Sequence, residues 1–417
     1  MVENSARDQR TSSKQPLRHE FLQACYSAVV CYCLTSWVVV FGVMLGAGFV
    51  EPGPLLRLEE DDFMSRFAMS DGQWYKSIVE NGYAYHPTKR SNVAFFPAYP
   101  LLAAGLKHLT GCRTELALLL VANICFFASL VLLYLYVGCR FPNGPANLAE
   151  FAMYSLALWP NAFFFRMAYS ESLFLFLTIL ALFGMARQWR IGAIAAIVGL
   201  ATATRPVGVG LIVPLVLHLA ERAPTVWGFA RTFLWAVPVC CWGLLAYVGF
   251  QWWYFEDPWV FTRTQAFWRE RPPVEWWERV IDLACLEPIR SVFDPSSPCY
   301  WDRAWEGNNP VFNGRVVNVC FFLLACVAVL AGMWRGKLTT KETALAWMLL
   351  LIPYATRGHE MCLASASRFA AVVFPVNLLL GIFFARFPLG VSLGLMGVSG
   401  FLMGAYAAMF AAGRGFF

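Results

Sequence analysis

Asp71-Gly72-Gln73-Trp74-Tyr75 sets one acid beside two large aromatics, and Phe95-Phe96-Pro97-Ala98-Tyr99-Pro100 follows soon after. An ionised carboxylate within hydrogen-bond reach of a hydroxyl can take its proton while the oxygen forms a new bond. Aromatic faces stack on sugar rings, and they also settle at membrane interfaces with no part in chemistry. Asp71 therefore has two readings: a general base, or an acid that merely complements the dipole at the start of a helix. Asp61 and Asp62 are rivals for the first role. They fall in the run Glu59-Glu60-Asp61-Asp62, which has the pattern of a solvated face.

Further ionisable residues stand at the edges of apolar runs, in the Tyr169-Ser170-Glu171-Ser172 turn, at Arg205 before Pro206, in the Arg357-Gly358-His359-Glu360 turn and at Ser367-Arg368. Charges at the edge of a hydrocarbon layer are costly unless they are paired or face a water-filled hollow. Glu171 reads equally as a helix N-terminal acid behind a Ser170 cap and as a substrate or metal contact. Arg205 and Arg368 read either as snorkelling side chains or as phosphate clamps, because a guanidinium offers forked donors to phosphate oxygens. His359 invites the same two readings. No partner is spaced near it in the sequence as a zinc site would require. No metal is assigned, and the need for a divalent cation stays open.

The elements that must position these residues are membrane helices. The 417 residues are 59% hydrophobic and 14% charged, with a mean hydropathy of +0.55. Soluble domains carry nearly twice that charge, so a bilayer has to solvate the excess apolar surface. The net charge of +6 comes from short basic clusters between apolar runs, which excludes a nucleic-acid reading and fits cytoplasmic anchors. A basic tail over 1–23 precedes an uncleaved first span at 24–50. The spans expected next are 116–138, 151–165, 173–185, 191–204, 207–219 and 232–254. Four more follow at 316–333, 343–354, 369–385 and 389–412. The total is about eleven crossings, with no internal repeat. This divides the chain into the tail, an N-terminal membrane module at 24–255, a Trp-rich loop at 256–312 and C-terminal helices at 313–417. The first external loop, 51–115, is expected to carry the chemistry. Within it, residues 58–68 suit a helix lying on the membrane surface. Ser70 and Gln73 suit a capping box, and Asn81-Gly82 a helix end. Residues 93–109, shortened by Pro97 and Pro100, suit an interfacial or re-entrant segment.

Placing the N-terminus inside puts Arg140, Arg187, Arg222, Arg335 and Arg386 on the inner side, and both polar loops outside. The outer loop at 256–312 holds Trp259, Trp268, Trp276, Trp277, Trp301 and Trp305, either as an aromatic belt or as a lid over a sugar or lipid. Most of the thirteen cysteines lie in apolar runs and act as small hydrophobes. Cys285 and Cys299 share the polar loop and could pair if it faces an oxidising compartment.

The stretch Asp71-x-x-Trp74-Tyr75-x-x-Ile78, then Gly82-Tyr83, then Phe95-Phe96-Pro97-x-x-Pro100, resembles the PIG-V mannosyltransferases. These comprise the second mannosyltransferase of GPI-anchor assembly and its bacterial relatives. Tyr169-Ser170-Glu171-Ser172-Leu173-Phe174 and Ala203-Thr204-Arg205-Pro206-x-Gly208 match in order and spacing. The resemblance implies an all-α GT-C membrane glycosyltransferase with juxtamembrane helices in its first external loop. It implies a polyprenyl- or dolichyl-phosphate sugar donor, inversion at the anomeric carbon, and Asp71 as the base. Ser70 replaces the tryptophan often found before the acid, and Pro206-Val207 replaces an asparagine that GPI enzymes tend to carry. Both departures favour a bacterial-type relative, in a plasma membrane, over a GPI enzyme of the endoplasmic reticulum.

The expectation is a transfer of a sugar, with mannose the one implied, to an acceptor hydroxyl on a glycolipid or glycan at the external or lumenal face. Trp74, Tyr75, Phe96, Tyr169, Glu171, Arg205, His359 and Arg368 are the expected substrate contacts around Asp71. Two rivals stand beside it: a multi-pass transporter or lipid-linked-sugar flippase, and a pseudoenzyme that only binds lipid-linked sugar.

Overall fold

Every regular element is a helix among the described residues, 14–53, 56, 62–303 and 309–414, of the computed structural model. The sequence is apolar enough to make long helices and punctuated enough to break most of them. Helix α1 spans Lys14–Phe49. After a short 3-10 turn at Phe63–Ala68 come α2 at Asp71–Asn81, α3 at Ala98–Thr110 and α4 at Thr114–Arg140. Helices α5 (Leu148–Ala157), α6 (Glu171–Ala186), α7 (Ile191–Thr204) and α8 (Ile212–Arg222) follow. Next are α9 (Val226–Cys240) and α10 (Trp242–Phe255). The polar loop contains one longer helix, α11, at Trp276–Ala284. The chain closes with α12 (Gly314–Trp334), α13 (Thr340–Arg357), α14 (Ala366–Ala371), α15 (Phe374–Phe384) and α16 (Leu389–Ala411).

By length and composition α1, α4, α12 and α16 can each cross a membrane, which makes the chain an integral membrane protein. Two bent pairs raise the number to six, short of the eleven read from hydropathy, and three shorter apolar helices accompany them. The difference lies in breaks that a hydropathy window smooths over. The expected span at 151–165 ends as an α-helix at Ala157 and resumes as a 3-10 helix, Pro160–Arg166. That segment meets α6 at 100°. The expected span at 232–254 is α9 and α10, bent by 49° at Cys241. Residues 93–109 hold no helix of spanning length: a 3-10 turn at Asn92–Ala94 leads to α3, which has thirteen residues.

Helix α1 lies along α16. Gly42 and Gly46 face Gly404 and Ala408 so closely that a Cβ on either glycine would overlap the opposing backbone. Small residues at four-residue spacing let membrane helices approach to backbone contact, where dispersion replaces the hydrophobic effect as the attraction. Helix α4 is central, packing on α1, α3, α5 and α6. Its far end is fixed by Glu342, fully buried, which accepts from Tyr136 Oη at 2.6 Å and from Arg140 Nε and Nη2 at 2.8 and 3.1 Å. Removing one partner of such a buried pair typically costs about 3–5 kcal/mol.

The opposite end carries the two polar loops. Gly82, at φ +76°, ends α2 in a conformation that a side chain would strain. Asn92 then accepts from Ala84 N at 2.8 Å and donates to Gly82 O at 2.9 Å, which closes the strap back to Phe95. Ser70 makes no capping bond: at φ 53° it is turned away from the geometry that a capping box with Gln73 needs. Of the expected surface helix at 58–68, residues 58–61, including Glu59, Glu60 and Asp61, lie outside the described residues, and the rest is the 3-10 turn. Trp305 also lies outside them. The Cys285–Cys299 pairing that the sequence left open is not formed. Cys299 bonds Cys362, on the turn after α13, while Cys285 at the end of α11 is free and exposed.

Candidate active site

A cavity of about 510 Å³ opens between the two polar loops and the helix ends beneath them. Asp71, the first residue of α2, lines it. The acid is set from behind by Tyr169, fully buried, whose hydroxyl donates to Met69 O at 3.1 Å and accepts from Asp71 N at 3.3 Å. Tyr169 does not line the cavity. It positions the start of α2. Tyr75, one turn on, donates its hydroxyl to Ser170 Oγ at 2.8 Å and so ties α2 to the bend before α6.

That bend delivers Glu171 as the first residue of α6. Arg205 ends α7 in extended backbone, φ −152° and ψ 144°, as a residue before proline must. Arg368 sits on the short helix α14. The four charges form one chain of contacts. Arg368 Nη1 donates to Asp71 Oδ2 at 2.7 Å, Arg368 Nε lies 3.0 Å from Glu171 Oε1, and Arg205 Nη1 lies 2.5 Å from the same oxygen. The Glu171 side chain is 2% exposed and that of Asp71 27% exposed, so the open end of the chain is the acid at the cavity.

A third arginine joins them. Arg357 closes α13, lines the cavity and donates to the neutral Gln265 Oε1 at 3.2 Å. It has no carboxylate partner among the described residues. The ring of Phe369 gathers all three guanidiniums, with Arg205, Arg357 and Arg368 at 5.1, 5.8 and 5.5 Å from its centroid. Three cations face two carboxylates here, leaving a surplus positive charge in a partly enclosed hollow. Arg315 and Glu270, also on the lining, pair with each other at 3.0 Å.

The outer wall is aromatic. Trp74 stacks on Phe95 at 6.1 Å and 19°, Trp268 meets both rings edge-on, and the Arg90 guanidinium lies 5.5 Å from the Trp268 ring. Such a wall offers a flat face to a ring-shaped ligand.

The structure thus gathers Asp71, Trp74, Tyr75, Phe96, Glu171, Arg205 and Arg368 around one cavity. It does not bring in His359, which is buried and faces Asp282 and Glu287. Of the tryptophans in the polar loop, Trp268 lines the cavity, whereas Trp259, Trp276 and Trp277 are at least half exposed, as in an aromatic belt. Arg357 and Trp268 line the cavity although they were not among the expected substrate contacts; the tryptophan stood in the loop read as a belt or a lid. The arginine stood in a turn that the sequence singled out, two positions before the histidine chosen.

No established family profile matches the chain. One curated relative, GPI alpha-1,6-mannosyltransferase 2 of Cricetulus griseus, is 33% identical over 160 residues. The match covers 36% of this chain and spans 31% of the relative's length. Among solved structures, the apo oligosaccharyltransferase of Archaeoglobus fulgidus superposes with a TM-score of 0.47 and 13% identity, over 93% of this chain and 56% of that one. ArnT from Cupriavidus metallidurans, bound to undecaprenyl phosphate, gives 0.39 and 15%, over 84% and 76%.

Proposed function

We propose that this chain is a membrane glycosyltransferase of the GT-C kind, related to the PIG-V mannosyltransferases. It takes a sugar, mannose in the first instance, from a polyprenyl- or dolichyl-phosphate carrier and transfers it to an acceptor hydroxyl. The observation that carries this reading is the placement of Asp71 on a cavity with surplus arginine charge and an aromatic wall. The motif resemblance and the partial match to a GPI mannosyltransferase point the same way.

In the proposed reaction the acceptor oxygen attacks the anomeric carbon as its proton passes to Asp71. The bond from that carbon to the phosphate oxygen breaks, and the electron pair leaves with the carrier phosphate. Direct displacement inverts the anomeric centre. Arg368 holds Asp71 aimed through Oδ2, and a carboxylate keeps further lone pairs for the incoming proton. Arg357, with a neutral partner, takes the carrier phosphate, and its charge stabilises the leaving group. Arg205 and Arg368 are held by carboxylates and frame that position. Trp74, Phe95 and Trp268 present the sugar face. The lipid tail lies against the helices, and the cavity faces the external or lumenal side.

Reconstitution in liposomes with a labelled polyprenyl-phosphate-mannose and candidate glycolipid acceptors tests this. Release of polyprenyl phosphate together with a mannosylated acceptor is expected. Movement of intact donor across the bilayer without bond breakage would establish the transporter reading instead.

A further inference from the structure

Beside the cavity, His359 is 7% exposed, and its Nδ1 has no hydrogen-bond partner among the described residues. Asp282 Oδ2 lies 3.1 Å and Glu287 Oε2 3.5 Å from that nitrogen, and the three ligand atoms are all within 4.8 Å of one another. We propose that Asp282, Glu287 and His359 form a zinc site that fastens the polar loop to the turn after α13.

The donor set selects the ion. Zinc accepts imidazole nitrogen and carboxylate oxygen at about 2.0–2.2 Å, which puts neighbouring ligand atoms of a tetrahedron roughly 3.3 Å apart. The 3.1 and 3.5 Å separations bracket that spacing. Magnesium and calcium prefer all-oxygen shells. Three protein ligands leave the fourth position to water. A protonated imidazole paired with Asp282 would account for the 3.1 Å contact, yet it would not need a second carboxylate converging on the same nitrogen.

The surroundings are arranged to hold the ligands. Arg271 donates from Nη1 and Nη2 to the two oxygens of Glu287 at 2.8 Å each, and its Nε donates to the backbone oxygen of His359. Each carboxylate oxygen retains a second lone pair for a metal. Arg271 therefore acts as an outer partner that orients two of the three ligands. The ligands come from two segments. Asp282 is on α11 and Glu287 begins the next helical turn, whereas His359 follows Arg357 by two residues. A bound ion would join the same segments that the Cys299–Cys362 bond joins. The site takes no step in the transfer reaction, and its test does not depend on the proposed activity.

The purified full chain is stripped with a chelator, supplied with zinc chloride, and freed of loose ion. Bound zinc per chain and the thermal midpoint are then measured. Wild type should keep one zinc per chain and melt higher with zinc than without. Asp282→Asn, at a side chain 30% exposed, should bind zinc at least about tenfold more weakly. It should lose the zinc-dependent rise while melting like stripped wild type without zinc. His359→Gln should lose the same zinc. Exposed Cys33, Cys139, Cys285 and Cys320 could take up ion elsewhere, and any such uptake is common to wild type and variants. Equal zinc retention by wild type and Asp282→Asn, or no retention by wild type, would overturn the proposal.

Discussion

At the scale of single residues, the division of labour among three arginines is the informative feature. Arg205 and Arg368 are tied to Glu171 and Asp71, and Arg357 is not. Arg357→Gln should therefore lower kcat/KM by about 10²-fold, as the loss of one donor to a developing charge does, with the chain still folded. Glu171→Gln should act differently. It leaves Arg205 with a neutral partner and Arg368 with Asp71 alone, so stability should fall by about 3–5 kcal/mol in thermal or denaturant unfolding. Asp71, Glu171, Arg205 and Arg368 were legible in the sequence because charges at the edges of apolar runs need a reason. Arg357 was not, since nothing local distinguishes a cation that ends without a carboxylate partner from one that finds it. His359 was misplaced for a related reason. Its partners Asp282 and Glu287 stand more than seventy positions away, and no spacing rule reaches that far.

Among elements, the helices were legible and their breaks only in part. Composition gave α4, α7 and α16 nearly to the residue, and the gaps at 169–172 and Arg205 were read as breaks between spans, whereas the break after Ala157 and the kink at Cys241 look like ordinary apolar sequence to a hydropathy window. The two breaks that were read matter most, because they turn Glu171 and Arg205 toward one cavity. The contact of α1 with α16 joins two four-residue spacings of small residues, Gly42 to Gly46 and Gly404 to Ala408. Gly46→Leu should force these helices apart. The expected outcome is loss of monodisperse protein in detergent size-exclusion chromatography, with Gly48→Leu, where a Cβ meets open space, as the tolerated control.

For the molecule as a whole, the cavity end and the Glu342 end should lie on opposite sides of the bilayer. A membrane-impermeant maleimide applied from outside should label Cys285, on the polar loop, while Cys139, exposed at the far end of α4, should react only after permeabilisation. The reverse pattern would put the cavity on the cytoplasmic side. The Cys299–Cys362 bond fits an oxidising outer compartment. Cys299→Ser should cost about 2–4 kcal/mol of stability, since the bond closes a long loop in the unfolded chain, with unfolding under non-reducing conditions as the measurement. The sequence offered only Cys285 as a conditional partner for Cys299, because proximity in the chain stood in for proximity in space, and Cys362 lies 63 positions away.

The proton acceptor is the centre of the account, and Asp71→Asn tests it most directly. The variant keeps the size of the side chain and removes its basicity. In a reconstituted assay with polyprenyl-phosphate-mannose and a productive acceptor, its turnover should fall about 10²–10⁴-fold, with donor binding and thermal stability close to wild type. Equal turnover by the two forms would contradict the account.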